Sequence, residues 1–316
     1  MRRANHRYAI VILSVCLLFP LALAATAGGA FVDDDGNIHE ANIDFIASLG
    51  ITNGCSPPPN PKYCPDDFVT RAQMASFIQR TLDLPPGVDR FDDDDGSIHE
   101  DAINAIAAAG ITKGCDPQDP RKYCPDDFVT RAQMATFIIR SLGNVTPFDA
   151  PIFTDVGRGG THPPNINALA GLGITKGCQA PPNPKYCPGD FVTRAEMASF
   201  LARMIRLGDS RPPTVGIASP PDLSTHFTQF DSDSGLFSTE ITFEALAIDP
   251  NGDTITSFRW VSSVDGFIGT GNPNTATLAI PSGQTSSQPF ISVIATDSTG
   301  LFSGDEIQIK LIMPSP

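Results

Sequence analysis

The chain has 316 residues, of which 41% are hydrophobic and 18% charged, and a formal net charge of −14. That length suits two or three globular domains, and the composition excludes a largely disordered chain. The acidic balance excludes a nucleic-acid binder and bulk adsorption to an anionic membrane, so any anionic ligand has to be held by local cations.

The first 24 residues read as a signal peptide. Arg2, Arg3 and Arg7 precede an apolar run from Tyr8 to Leu23, and Ala22-Leu23-Ala24 forms a small-x-small cleavage site. An uncleaved anchor is the competing reading, because the run is marginally long enough to span a bilayer. Cys16 is preceded by Val15, which does not suit a lipoprotein signal. The expected address is outside the cell, at the cell wall or cell surface.

Residues 31–82 and 91–142 align without a gap, and 153–205 is a third copy with one extra residue near Arg158–Thr161. Repeats this close share one fold. In the first two copies, Asn37 or Ser97 followed by Glu40 or Glu100 predicts a capping box opening a first helix, with Ile43 and Ile46, or Ile103 and Ile106, turned inward. In the third copy Pro163-Pro164 stands at that helix start. Gly50, Gly110 and Gly173 are placed to end it as left-handed C′ residues. A Pro-rich loop follows, and a Thr-Arg-Ala-Gln or Thr-Arg-Ala-Glu tetrad then predicts a second capping box. Thr70 pairs with Gln73, Thr130 with Gln133 and Thr193 with Glu196, and Met74, Phe77, Ile78 and their counterparts form one buried stripe. About fifty residues in two helices bury little surface alone, so the three units should pack on one another.

Six of the seven cysteines form three equally spaced pairs, Cys55/Cys64, Cys115/Cys124 and Cys178/Cys187. An even count in an exported chain points to disulfides, each closing a short loop and adding about 2–3 kcal/mol. Zinc is the weaker alternative, because eight residues separate the partners of each pair and only His39, His99 and His162, all at a distance, could complete a ligand set. Arg71, Arg131 and Arg194 sit at the first helical position, against the positive end of the helix dipole. Two explanations remain open: a guanidinium and free N–H groups forming a receptor for a carboxylate or phosphate, or salt bridges to Asp66 and Asp67, Asp126 and Asp127, and Asp190. The acidic turns Asp33-Asp34-Asp35-Gly36 and Asp92-Asp93-Asp94-Asp95-Gly96 suggest a calcium loop. With each Gly at the sixth place, Phe31 or Phe91 falls first and Asn42 or Ala102 twelfth, where acids are needed, so the register fails. They read as solvated turns, and no metal site is expected.

Residues 206–213 have linker composition. Over 214–313, short β-rich runs separated by Asp/Asn/Gly turns predict a β-sandwich with Trp260 in its core. It offers no nucleophile or carboxylate pair that suggests catalysis.

The ordered motifs Phe-x-Asp, Gly-Ile-Thr-x-Gly (50–54, with Asn53 at x; 110–114; 173–177), Cys-Pro-x-Asp-Phe and the tetrad, repeated three times, resemble the S-layer homology (SLH) family. The sandwich resembles bacterial immunoglobulin-like and PKD-type modules. The resemblance implies a multidomain protein: an all-α bundle of three helix-loop-helix SLH units (31–82, 91–142, 153–205) with pseudo-three-fold symmetry, then an all-β Ig-like sandwich. It also implies that grooves between repeats bind an anionic secondary cell-wall polysaccharide, often bearing ketal-linked pyruvate, with the tetrad arginines Arg71, Arg131 and Arg194 in contact with it. Lys113 and Lys176, in the Gly-Ile-Thr-x-Gly turn, would add positive potential or stand as solvated loop lysines. The expectation is a non-enzymatic, cofactor-free anchor. The rival is an adhesion or assembly module in which the sandwich binds a surface protein; an enzyme is disfavoured because anchor and sandwich occupy the whole chain.

Overall fold

The computed structural model describes residues 29–143, 145–208 and 210–314. The expected signal peptide, with Cys16, lies outside the described residues. Six helices come first: α1 (Glu40–Ser48), α2 (Arg71–Leu82), α3 (Glu100–Ala108), α4 (Arg131–Leu142), α5 (Pro163–Gly171) and α6 (Arg194–Arg206). The tetrads form complete capping boxes at α2, α4 and α6, Thr70, Thr130 and Thr193 each accepting from the N3 amide while the N3 side chain accepts from the Thr amide. Gly50 and Gly110 end α1 and α3 with φ of 71° and 73°. Gly50 N–H donates to Ala47 and Ile51 N–H to Ile46, the paired bonds of a Schellman ending.

The expected box at Asn37 and Ser97 does not form. The helices start two residues later, with His39 and His99 at the N-cap and no side-chain cap bond. Asn37 instead accepts from His39 N–H, and Glu40 reaches back past it to Gly36 N–H at 2.8 Å. The Glu side chain here accepts from the amide four residues back, against three at the tetrads, so the same sequence spacing caps a different amide.

The second helix of each repeat packs on the first helix of the next: α2 on α3, α4 on α5, and α6 on α1, which closes a ring. The chain entering each second helix is extended, and the three segments meet at the centre. Val69 N–H donates to Val192, Val129 to Val69 and Val192 to Val129, at 2.9–3.0 Å. Single β-bridges join Thr70 to Phe128, Thr130 to Phe191 and Thr193 to Phe68, and Phe68, Phe128 and Phe191 stack in a triangle with centroids 5.6 Å apart. The repeat region is therefore helices arranged round a small ring of β-bridges rather than helices alone. One continuous core runs through all three repeats, with Ile43, Ile46, Met74, Ile78 and their counterparts fully buried. Cys55–Cys64, Cys115–Cys124 and Cys178–Cys187 are disulfides.

The remaining chain is β: β1 (Thr214–Ser219), β2 (Thr225–Phe227), β3 (Gln229–Asp231), β4 (Leu236–Ile248), β5 (Ile255–Ser262), β6 (Gly266–Thr270), β7 (Asn274–Ala279), β8 (Ser286–Ser287), β9 (Phe290–Asp297), β10 (Phe302–Gln308) and β11 (Lys310–Ile312). One sheet runs β1-β4-β3 with β7 also on β4, a second β10-β9-β5-β6, and a short third β2-β11-β8. The alternation along β4 and β7 points Ile241, Phe243, Ala276 and Leu278 inward. Trp260 is fully buried as expected, 5.5 Å from Phe243, and its indole N–H donates to the Gly271 carbonyl.

The sandwich rests on the third repeat and on the segment leading into it, where Gly304 lies against Phe148 and Ala150. Phe302 and Ile294 pack on the helical core. Gly171 approaches the Phe302 carbonyl so closely that a Cβ there would collide with it. Arg158 bonds both oxygens of Glu306 at 3.0 and 3.1 Å.

Candidate ligand grooves

The tetrad arginines are buried, 4%, 5% and 6% exposed for Arg71, Arg131 and Arg194. Each reaches into the next repeat in the ring. Arg71 Nε donates to the Tyr123 carbonyl at 2.7 Å and its guanidinium lies 4.6 Å over the Tyr123 ring; the Tyr123 hydroxyl donates back to the Arg71 carbonyl at 2.7 Å. Arg131 makes the same exchange with Tyr186, and Arg194 with Tyr63. The Arg of one repeat and the Tyr of another thus clasp each boundary.

The helix starts are not free. Arg71 N–H donates to the Asp127 carbonyl, Ala72 N–H to Pro125, and the N3 amide to Thr70, with equivalent bonds at α4 and α6. A receptor built from open helix-start amides is therefore excluded, because the neighbouring repeat already uses them. The alternative of pairing with the upstream aspartates is not realised either: it is their backbone carbonyls that face the helix, and Arg71 and Arg194 form no ion pair among the described residues. Arg131 alone meets a carboxylate, Glu196 Oε1 at 2.8 Å.

What remains of the Arg71 and Arg194 guanidinium groups faces a groove between repeats. One groove, of about 340 Å³, is lined by Arg71, the 112–117 turn, Gln133, Thr136, Phe137, Arg140 and His162. A second, of about 270 Å³, is lined by Arg194, Thr52, Asn53, Gly54, Gln73, Ser76, Arg80 and His99. Lys113 stands exposed at the rim of the first; Lys176 is exposed in the corresponding turn of the third repeat. In the first groove Arg71 Nη2 donates to the Gly114 carbonyl at 3.3 Å, whereas in the second Arg194 Nη2 is buried with no hydrogen-bond partner. Burial lowers the pKa of both guanidinium groups, opposed for Arg71 by Tyr123 and Asp127 and for Arg194 by Tyr63 and Asp67. The second groove carries two arginines and no carboxylate, a local reversal of an acidic protein's overall field.

Sequence reasoning missed a second ring of arginines. Arg80, Arg140 and Arg203 recur at one position of the second helices, and each donates to the carbonyl of Ile51, Ile111 or Ile174 beside a groove. It also missed the histidines. His99 Nδ1 meets Ser76, His162 meets Thr136 and His39 meets Ser199, at 2.7–2.8 Å, pinning the first helix of one repeat to the second helix of its neighbour. Burial lowers their pKa, with Arg80 adding to the effect at His99 and Arg140 at His162, so the groove walls present neutral imidazoles at neutral pH. Recurrence in three copies was the signal available for both sets.

The Asp of the Phe-x-Asp motif is structural. Asp33 accepts from Tyr63 N–H and Cys64 N–H, as Asp93 and Asp155 do in their repeats. It tethers the strand-like opening to the disulfide loop and so fixes the tyrosine that clasps the arginine.

Residues 90–135 and 152–198 match the sequence profile of the S-layer homology domain. The amylopullulanase of Thermoanaerobacterium thermosulfurigenes is 29% identical over 180 residues, 54% of this chain and 9% of the relative. The S-layer protein sap of Bacillus anthracis is 28% identical over 192 residues, 57% of this chain and 22% of the relative. The chain thus spans less than a quarter of the length of these relatives. A fibronectin(III)-like module structure of CbhA from Clostridium thermocellum aligns with 32% of this chain and 94% of its own at 15% identity and a TM-score of 0.23. No helix among the described residues is long and apolar enough to cross a membrane.

Proposed function

The chain carries S-layer homology domains, and from that premise we propose that it is a non-catalytic surface protein, exported and held to the cell wall through its inter-repeat grooves by an anionic secondary polysaccharide. The carrying observation is Arg194 Nη2, a charged donor buried without a partner on a groove that contains no carboxylate. A carboxylate on the glycan, such as a ketal-linked pyruvate, would satisfy that donor, and one charge-assisted contact of this kind contributes about 1.5–3 kcal/mol. Arg80 and Asn53 in this groove, and Arg140 and Lys113 in the other, supply further donors to sugar hydroxyls and the anionic group. Arg131 is paired with Glu196, so of the three it is the least available to an anion. The sandwich is then the displayed part, available to a protein neighbour.

The test avoids truncating the arginines, because they also clasp the repeats. Gln73→Glu and Gln133→Glu retain the capping box that Glu196 demonstrates and place a carboxylate beside Arg194 and Arg71. Co-sedimentation with cell-wall sacculi, before and after chemical removal of the secondary polysaccharide, should show polymer-dependent binding that falls at least tenfold in the double variant with unchanged melting. Equal binding by wild type and double variant would reject the arginine grooves as the anion sites; failure of the wild type to bind untreated sacculi would reject wall anchoring.

A further inference from the structure

The acidic turns are solvated at Asp35, Asp92, Asp93 and Asp95, but one aspartate in each is not. Asp34 is 0% and Asp94 1% exposed, and neither oxygen of either carboxylate accepts a hydrogen bond from another residue. Burying an unpaired carboxylate is among the costliest things a fold can do, and such groups acquire a counter-charge or lose their own. Other acids add to the charge instead of relieving it. Asp89, Asp94 and Asp95 bring carboxylate oxygens within 4.8 Å of one another. In the first repeat Asp44 lies beside Asp34, both bordering Gly29, with Asp44 Oδ1 held by Ala30 N–H at 2.8 Å.

The third repeat provides an internal control. Asp33, Asp93 and Asp155 occupy one position, each accepting from the Tyr and Cys amides. The next residue is Asp34 in the first repeat, Asp94 in the second and Val156 in the third, and Val156 is 7% exposed within the helical core. The fold is thus satisfied by an apolar side chain at this place. A carboxylate there, twice, with no donor to receive it, has the composition of a cation site, with hard oxygen ligands and no nitrogen or sulfur.

We propose that the acidic turn of the second repeat is a calcium site, with Asp94 as its buried ligand and Asp89 and Asp95 as its outer ones. The turn of the first repeat forms a related site from Asp34 and Asp44, and the third repeat has none. Water and backbone carbonyls would complete the six to eight oxygens that calcium takes. The sites lie at the openings of the first two repeats, where the chain is tied by Asp33 and Asp93 to the tyrosines of the clasp, so the cation would rigidify two of the three boundaries.

The test uses the purified full chain with Asp34→Val, Asp94→Val and the double substitution, each copying Val156. Equilibrium dialysis at millimolar calcium, the range of extracellular modules, should give one bound equivalent per intact site: a loss of one in each single variant and of all in the double variant. Chelator should lower the melting temperature of the wild type and leave that of the double variant unmoved, which separates loss of a site from loss of the fold. No calcium on the wild type, unchanged stoichiometry in Asp94→Val, or equal stoichiometry with magnesium in place of calcium would overturn the proposal.

Discussion

Replacing Arg71 with alanine tests whether the tetrad arginine holds the bundle together irrespective of any ligand. The substitution removes a charged donor from the Tyr123 carbonyl at 2.7 Å, a longer contact to the Gly114 carbonyl at 3.3 Å, and a cation stacked 4.6 Å over the Tyr123 ring. The charge-assisted bond contributes about 1.5–3 kcal/mol, including the penalty for a carbonyl left unmet inside the protein. The stacked cation adds roughly 0.5–2 kcal/mol in a desolvated setting. The sum, about 2–5 kcal/mol, is a large fraction of the roughly 5–15 kcal/mol of a typical domain. With a urea slope on the order of 2 kcal/mol per molar, the midpoint should fall by about 1–2.5 M. The chain carries its own reporters: Tyr63, Tyr123 and Tyr186 are buried in the bundle and the only tryptophan, Trp260, in the sandwich. Near-UV tyrosine dichroism should therefore shift while tryptophan fluorescence keeps its midpoint. Arg71→Lys should recover little, since an ammonium lacks the fork that spans carbonyl and ring. A cost under about 1 kcal/mol, on the scale of an exposed ion pair, would refute the clasp and return the arginine to a purely ligand-binding role.

Other outcomes follow from the same geometry. Arg194→Ala should cost less than Arg71→Ala in the same urea titration, because Arg194 Nη2 has no partner to lose. The lowered pKa values of His39, His99 and His162 mean that the unfolded chain binds more protons below about 6.5, the ordinary histidine value. Their contribution to stability should thus disappear as pH falls from 7 toward the folded values, and a triple His→Asn variant should melt with a shallower acid dependence. In chelator, Asp34 and Asp94 act in the opposite sense: desolvation and the neighbouring acids raise them to about 6, so the stability they contribute at low pH is lost as pH rises through about 6. Their double Val variant should lack that step in the melting curve. Gly171→Ala should loosen the sandwich from the bundle, seen as faster proteolysis near 206–213, since the added methyl meets the Phe302 carbonyl.

The parts legible in the sequence were those decided within one turn or one repeat. The tetrad capping boxes and the glycine helix ends depend on residues three to five apart, and the disulfides on a spacing repeated three times. What could not be read was where an atom's partner comes from another repeat. Arg71 looked like a cation stranded at a helix start, whereas its donors are consumed by Tyr123 and Asp127, far along the chain. His39 was set aside as too distant for zinc, and its partner is Ser199 in the last repeat. The acidic turns misled for a different reason, since composition reports a residue's average habitat and Asp34 is an exception to it. Aligning the repeats at that column, with Val156 opposite Asp34 and Asp94, would have exposed the anomaly before any coordinates.

The seating of the sandwich on α5 breaks the equivalence of the three repeats. Tension applied to the displayed domain would not travel down the 206–213 segment alone but would enter the bundle as shear, through the Arg158–Glu306 bond and the Phe302 contact. The third repeat is then the mounting bracket, and one departure in its sequence, the extra residue near Arg158, lies at that seat.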